Sequence, residues 1–276
     1  MTYGATAVAR ALGLRRQRLY APPAAARRVT RSRVGDRELA GQIRTVLDEE
    51  PTYGYRRVTA RLRRSQRLLN RKRVQRVMRR YGYRSLGYQG RRGRRRQRLP
   101  VSKAIHAVQP NRLWGMDHTS FWAGDRLGYV LLATDHCDRD TPGLRISDSP
   151  PSAQTAIDVL ELARAERRGE YLGELEIRTD GGPQFVAHAF TTAVRKAGLR
   201  HTVTPAASPE YNPFAESLLG AFKEECVYQS HWNSYAQAEK EVEAWFKKYR
   251  ERREQNVLGG LAPLEYRAVL LQNLAA

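Results

Sequence analysis

Three carboxylates sit where a chain could carry out phosphoryl chemistry. Asp117 lies inside an alternating run, LWGMDHTSFW. Asp180 ends ELEIRTD and is followed at once by Gly181, Gly182 and Pro183. Glu216 opens a helical stretch just after SPEYNPF. Acids gathered in this way repel one another unless cations lie between them. Hard oxygen donors suit Mg²⁺ or Mn²⁺. Two such ions roughly 3.5–4 Å apart clamp the attacking and leaving oxygens of a phosphoryl transfer. The glycines after Asp180 leave room for a phosphate backbone to approach. At about 100° per residue, Phe214, Leu218 and Phe222 share one sector of the helix, while Glu216 and Lys223 lie opposite, two turns apart. The same spacing also fits a solvated charged helix face and turn-forming aspartates, and periodicity alone does not choose between these readings.

The elements around these residues can be read in order. Strands are expected at 113–122, 127–135 and 143–147, then a helix at 152–168, a strand at 174–180, a helix at 184–197, a strand at 199–205, and helices at 213–229 and 234–252. This βββαβαβαα order predicts an α/β domain whose first three strands form a meander. If strands one and four are neighbours, Asp117 and Asp180 share a sheet edge, and the helix at 213–229 can bring Glu216 to it.

A smaller helical unit precedes this domain. Leu39, Ile43, Val46 and Leu47 have helical spacing, with Asp36 as the expected N-cap. PTYGYRR forms a turn, and Val58 and Leu62 mark a second helix. Asn70 caps a third, on which Val74, Val77, Met78 and Tyr81 share a face, with Arg71, Lys72, Arg73 and Arg76 outside it. A helix-turn-helix reader needs such a basic last helix. A solvated basic helix of an RNA-binding protein has the same spacing. The run GYQGRRGRRRQRLP has six Arg and no apolar period, and reads as a linker that touches phosphates without sequence specificity.

Charge separates the two parts. Residues 1–110 hold 30 Lys/Arg and five acids, whereas residues 111–276 hold 19 and 23. That asymmetry points to a polyanion partner for the front half, nucleic acid before an anionic membrane, since no strongly apolar, Trp-rich face is present to insert. The first 35 residues carry eight Arg and no acid, a transit-peptide pattern. The same excess continues well beyond them, so they read as part of the basic front. No run approaches the ~18 apolar residues of a membrane span. The two cysteines, Cys137 and Cys226, lie far apart with no Cys/His cluster, which argues against a zinc site or disulfide framework and for a reducing compartment.

Taken together, these blocks resemble the D,D(35)E core of transposases and retroviral-type integrases. Residues 181–215 put 35 positions between Asp180 and Glu216, Trp114, Asp117 and Thr119 match W-x-x-D-x-T, and TDGGPQF matches the second block. In SPEYNPFAESLLGAFKEEC, Asn212 precedes the Glu and Lys223 follows it by seven places. YGYRRV with LNRKRVQRVMRRYGY, and the tail WFKKYRERREQNVLGGLAPLEY, resemble the second-frame product of IS3-group insertion elements. Three spaced blocks in order are far more specific than one. Departures are His118 after the first Asp, Arg250 where Asn is usual, and REQN in place of R-P-H.

The resemblance implies an RNase H-like catalytic core with a mixed five-stranded sheet and flanking helices, preceded by a small all-α helix-turn-helix domain. Boundaries are expected at 1–35 (basic segment), 36–85 (helix-turn-helix, binding the element's ends by itself), 86–110 (Arg-rich linker), 111–230 (core) and 231–276 (helical extension). Asp117, Asp180 and Glu216 would be the catalytic, metal-holding residues, with two Mg²⁺, replaceable by Mn²⁺. Lys223, Asn212, Arg56, Arg57, Arg71, Lys72, Arg73 and Arg76 would contact DNA. The activity implied is cleavage at the element's ends followed by strand transfer, in the bacterial cytoplasm at the nucleoid. Expected partners are terminal inverted repeats, target DNA, further copies of the chain and an upstream-frame protein that carries the missing leucine zipper. The competing readings are a non-catalytic DNA-binding regulator and an RNase H-type nuclease that transfers no strand.

Overall fold

The computed structural model describes residues 35–66, 68–86, 107–167, 174–205 and 211–275. The expected basic segment at the N-terminus and most of the Arg-rich linker lie outside them. Helices α1 (Asp36–Glu49), α2 (Tyr55–Arg63) and α3 (Arg71–Arg80) come first. Strands β1 (Leu113–Ala123), β2 (Arg126–Asp135) and β3 (Gly143–Ser147) follow, then α4 (Ala153–Glu166), β4 (Glu176–Thr179), α5 (Pro183–Val186), α6 (His188–Lys196) and β5 (Arg200–Val203). Helices α7 (Pro213–Glu225), α8 (Tyr235–Glu251) and α9 (Pro263–Ala275) close the chain.

The five strands make one sheet in the order β3-β2-β1-β4-β5. β1, β2 and β3 pair antiparallel as the expected meander, and β4 and β5 run parallel to β1. Alternation along the strands divides the apolar residues between two faces. Trp114, Met116, Leu131, Ala133 and Ile177 bury against Val159, Leu160, Phe185, Phe190 and Val194. Phe121, Val130 and Leu132 bury against Leu218, Phe222, Val242, Trp245 and Phe246. Helices therefore cover both faces, which is why β2 reads as an unbroken apolar run.

Two expected helices are shorter than their spacing suggests. The stretch 184–197 breaks at Ala187, whose extended backbone (φ −58°, ψ 139°) starts a new helix. The break lets Phe185 and Phe190 meet edge to face, 5.6 Å apart, in the same core. The stretch 213–229 ends as α-helix at Glu225 and continues as a 3₁₀ turn, Val227–Gln229. α9 is a separate helix that periodicity did not pick out.

The helical unit has its own core of Leu39, Ile43, Val58, Leu62, Val74 and Val77. Asn70 caps α3 as expected, accepting from the Lys72 N–H at 2.8 Å. Asp36 is not a cap. Gly35 holds that position, and Asp36 is the first helical residue, fully buried and paired with Arg73 and Arg76. The unit docks on the C-terminal segment through charge. The Tyr53 hydroxyl donates to Glu254 at 2.9 Å, Arg64 grips Glu265 with both terminal nitrogens, Lys248 meets Glu50, and Arg57 pairs with Glu225 at the end of α7.

Candidate active site

β1 and β4 pair parallel, with Trp114 opposite Ile177 and Gly115 opposite Arg178. The same offset carried two residues further sets Asp117 beside Asp180. Asp180 is the first residue past β4, exposed, and its Oδ1 accepts the Gly182 N–H at 2.9 Å. A Cβ on Gly182 would fall 2.9 Å from that oxygen and 2.7 Å from Gln184 Nε2, so any larger residue would displace these side chains. Gly181 faces open space.

The third acid arrives on α7. Asn212, at the helix start, is buried, and its amide Nδ2 donates to the Met116 carbonyl at 3.2 Å. Its Oδ1 lies 3.4 Å from His136 Nε2. β1 carries Gly115 at this crossing because a Cβ there would sit 2.1 Å from the Asn212 oxygen. The bracket pins the first turn of α7 onto the strand just before Asp117. Phe214, Leu218 and Phe222 point into the core, which leaves Glu216 exposed and Lys223 half-buried on the other side.

Asp117 registers this gathering. Burial pushes its carboxyl up to about 6, and the charges of Asp180 and Glu216 push in the same direction. The His118 N–H, donating at 2.8 Å, and the Lys223 ammonium oppose them. Burial lowers the His118 imidazole, whose Nδ1 lies 3.1 Å from Gln184 Nε2. The donors offered are carboxylate oxygens, which suit a hard divalent ion. Among the described residues no three His, Cys, Asp or Glu side chains close on one point as a finished metal cage. The acids share a field, and a lysine and two backbone N–H groups bear on Asp117 and Asp180.

Comparisons with known proteins follow the same division of the chain. An HTH-like domain matches residues 35–96, and integrase core domains match residues 107–209 and 197–263. The transposase InsD of insertion element IS2 from Escherichia coli is 31% identical over 245 residues, spanning 84% of this chain and 78% of that protein. The 31.7 kDa protein of insertion element IS407 from Burkholderia multivorans is 28% identical over 235 residues, spanning 83% of this chain and 80% of that one. The chain belongs to the IS3-group insertion-element transposases. Its fold also matches a chain of the simian T-cell lymphotropic virus intasome, with a TM-score of 0.52 at 15% identity over 75% of this chain and 73% of that one. No helix among the described residues of the transposase is long and apolar enough to cross a membrane.

The transposase scatters the candidate DNA contacts. Arg56, Arg71 and Lys72 are exposed. Arg57 is committed to Glu225, Arg73 and Arg76 to Asp36, and Asn212 to β1. The spacing of a helix shows which side chains leave its apolar face, but not which distant acid receives them. Part of the basic excess that suggested a polyanion partner is thus neutralised within the protein.

Sequence reasoning also missed a second acidic group. Asp135 ends β2, Asp138 and Asp140 follow it, and all three are completely buried. Asp138 accepts from Arg167 and Arg267, and Asp140 from Arg167 and Arg250. Asp135 accepts from the Asn111 and Cys137 N–H groups and from Trp114 Nε1. Two departures from the family pattern are explained by these contacts. Arg250 bridges Asp140 and Glu166, and Glu254 receives Tyr53 and Arg64.

Proposed function

We propose that this transposase cleaves DNA at the ends of its element and joins the freed ends to new DNA, with Asp117, Asp180 and Glu216 as the catalytic acids. The observation that carries the reading is the register that sets Asp117 beside Asp180, with the Asn212 bracket delivering Glu216 to the same edge. In the first step a water oxygen attacks a phosphodiester phosphorus, the bond to the 3′ oxygen breaks, and that oxygen leaves as a 3′-OH. In the second step this 3′-OH attacks a target phosphodiester, forming a new P–O bond and breaking the target's P–O3′ bond; the nucleophile loses its proton to solvent and the departing 3′ oxygen takes one up from solvent. Bound Mg²⁺ or Mn²⁺ would supply Lewis acidity and neutralise charge, held by the three carboxylates. Asp117 contributes a desolvated charge fixed by the His118 N–H, Asp180 a strand-tip charge oriented by Gly182, and Glu216 a charge on a helix rigidly docked to β1. Lys223 would face the phosphate beside the scissile bond, and Gln184 fixes the His118 ring through its Nδ1.

The helix-turn-helix unit would bind the terminal inverted repeats, led by the exposed Arg56, Arg71 and Lys72. Joining two ends to one target calls for at least two copies of the chain, and an upstream-frame protein is a further expected partner. Work on chromosomal DNA places the protein in the bacterial cytoplasm.

The test is turnover of an end duplex and a pre-cleaved end in Mg²⁺ and Mn²⁺. Asp180→Asn should lower both cleavage and strand transfer by at least about 10³-fold, roughly 4 kcal/mol, with an unchanged melting curve. Near-normal turnover of a folded variant would remove Asp180 from the site. Cleavage by the parent chain without any joined product would leave a nuclease.

A further inference from the structure

One open hollow of the helical unit lies away from the carboxylates. It lies at the seam between α2 and the turn 256–261 of the C-terminal segment, with a volume of about 570 Å³. Arg56, Arg63, Arg64 and Arg71 form one wall, and Asn256 and Gly260 lie on the other. Gly260 has φ 93°, and a Cβ on it would sit 3.1 Å from that of Ala60, so the turn lies against α2 and presents backbone to the groove. The acid in the lining, Glu265, is already gripped by Arg64 at 2.8 and 2.9 Å.

Several arginines of this unit are paired with carboxylates, as Arg57, Arg61, Arg73 and Arg76 are. No carboxylate among the described residues pairs with Arg56, Arg63 or Arg71. A second hollow of about 540 Å³ adjoins the first, shares Arg63 and Arg71 with it, and has Asn70 and Lys72 but no acid in its lining. Two adjoining basic hollows make a track longer than one phosphate group. That shape fits a chain of phosphodiesters better than a mononucleotide.

We propose that a DNA backbone runs through this seam, so that the C-terminal turn 256–261 forms part of the end-binding surface together with α2 and α3. The proposal rests on the reading of the helical unit as the binder of the element's ends. It departs from the expectation that residues 36–85 bind those ends by themselves.

The experiment uses the full chain and measures binding of a fluorescent end duplex at several salt concentrations. Asn256→Glu puts a carboxylate on the exposed C-terminal wall, Arg71→Ala removes a cation from the other wall, and Gln272→Glu adds the same charge on α9 outside the groove. Both groove variants should weaken binding by about 5–10-fold at about 0.1 M salt, with the salt slope reduced by about one for Arg71→Ala. Gln272→Glu should bind as the parent does, and all three should melt normally. If Arg71→Ala weakens binding while Asn256→Glu matches Gln272→Glu, the seam is not a DNA path, although the helical unit remains the binder. If no variant weakens binding and the parent's salt plot is flat, the DNA reading of the basic half fails and the proposal fails with it. If inorganic phosphate at about 10 mM displaces the duplex from the parent but not from Asn256→Glu, the groove is a small-anion site and the proposal is overturned.

Discussion

Asp135, Asp138 and Asp140 sit at and just past the end of β2, and Asp117, Asp180 and Glu216 sit at the edge shared by β1 and β4. Each set holds three carboxylates close to a strand end. The first set is completely buried, yet three arginines and several N–H groups answer it. The second is partly open, and Lys223 brings a positive charge to bear on Asp117. Acids neutralised by the protein's own guanidinium groups brace a loop against α4, α8 and α9. Acids at the open edge, where Asp180 and Glu216 are exposed, keep negative charge within reach of something that binds. Counting acids would rank the two clusters equally, and accounting for their counter-charges separates them.

The largest effect that would test this contrast is structural. Replacing Arg167 by Met keeps much of the volume but strips a cation from both Asp138 and Asp140. Breaking a buried pair in this way should cost about 3–5 kcal/mol, read as a lowered urea midpoint at unchanged slope. An unaltered midpoint would show that the buried set does not depend on its arginines, and the contrast would lose one side.

A smaller effect of opposite sign is expected at the open cluster. Asp117 has its carboxyl raised in the folded protein, up to about 6. The folded state therefore holds that proton more tightly than the unfolded one. The stability this confers is present at low pH and is lost as pH rises through the folded value. Asp117→Asn removes the loss, so in metal-free buffer near pH 8 the variant should be more stable by on the order of 1–2 kcal/mol. Below pH 4 the gain should vanish. A variant less stable than the parent at both pH values would mean that Asp117 is held by its surroundings as Asp138 is.

The smallest change in stability belongs to Lys223. It is half-buried, and no carboxylate among the described residues pairs with it, so Lys223→Ala should shift stability by less than about 1 kcal/mol. Strand transfer of a pre-cleaved end should nevertheless fall by about tenfold if the ammonium meets a phosphate there. A large drop in melting temperature with normal transfer per folded molecule would move Lys223 from the open cluster to the framework.

The part of this architecture legible in the sequence is the part governed by local period. Strand alternation and the Phe214, Leu218, Phe222 stripe set the sheet and the face that α7 buries, and Gly182 marks the close approach at Asp180. The parallel neighbours β1 and β4 follow from the topology that the element order suggested. Long-range charge pairing was not legible. Asp36 looks like a cap when only its own helix is considered, but its partners lie 37 and 40 residues away. Arg57 looks like a DNA contact, but its carboxylate is 168 residues distant. Arg250 and Glu254 stood out as departures from the family pattern, but no spacing rule names Asp140 or Tyr53 as the groups they serve.

The docking of the helical unit on the tail has a consequence for any attempt to divide the chain. Glu225 is held by Arg253 of its own half and also by Arg57, while Glu254 pairs with Arg61 and Arg64, so cations from the other side of the cut serve both acids. A core fragment released by cleavage between residues 86 and 107 would leave Glu254 without Tyr53, Arg61 and Arg64, its partners from the helical unit. The front half acts as the counter-ion of the back half, a salt whose two ions are joined by one polypeptide. Its dissociation would reach α7 directly, because Glu225 ends the same helix that Glu216 begins.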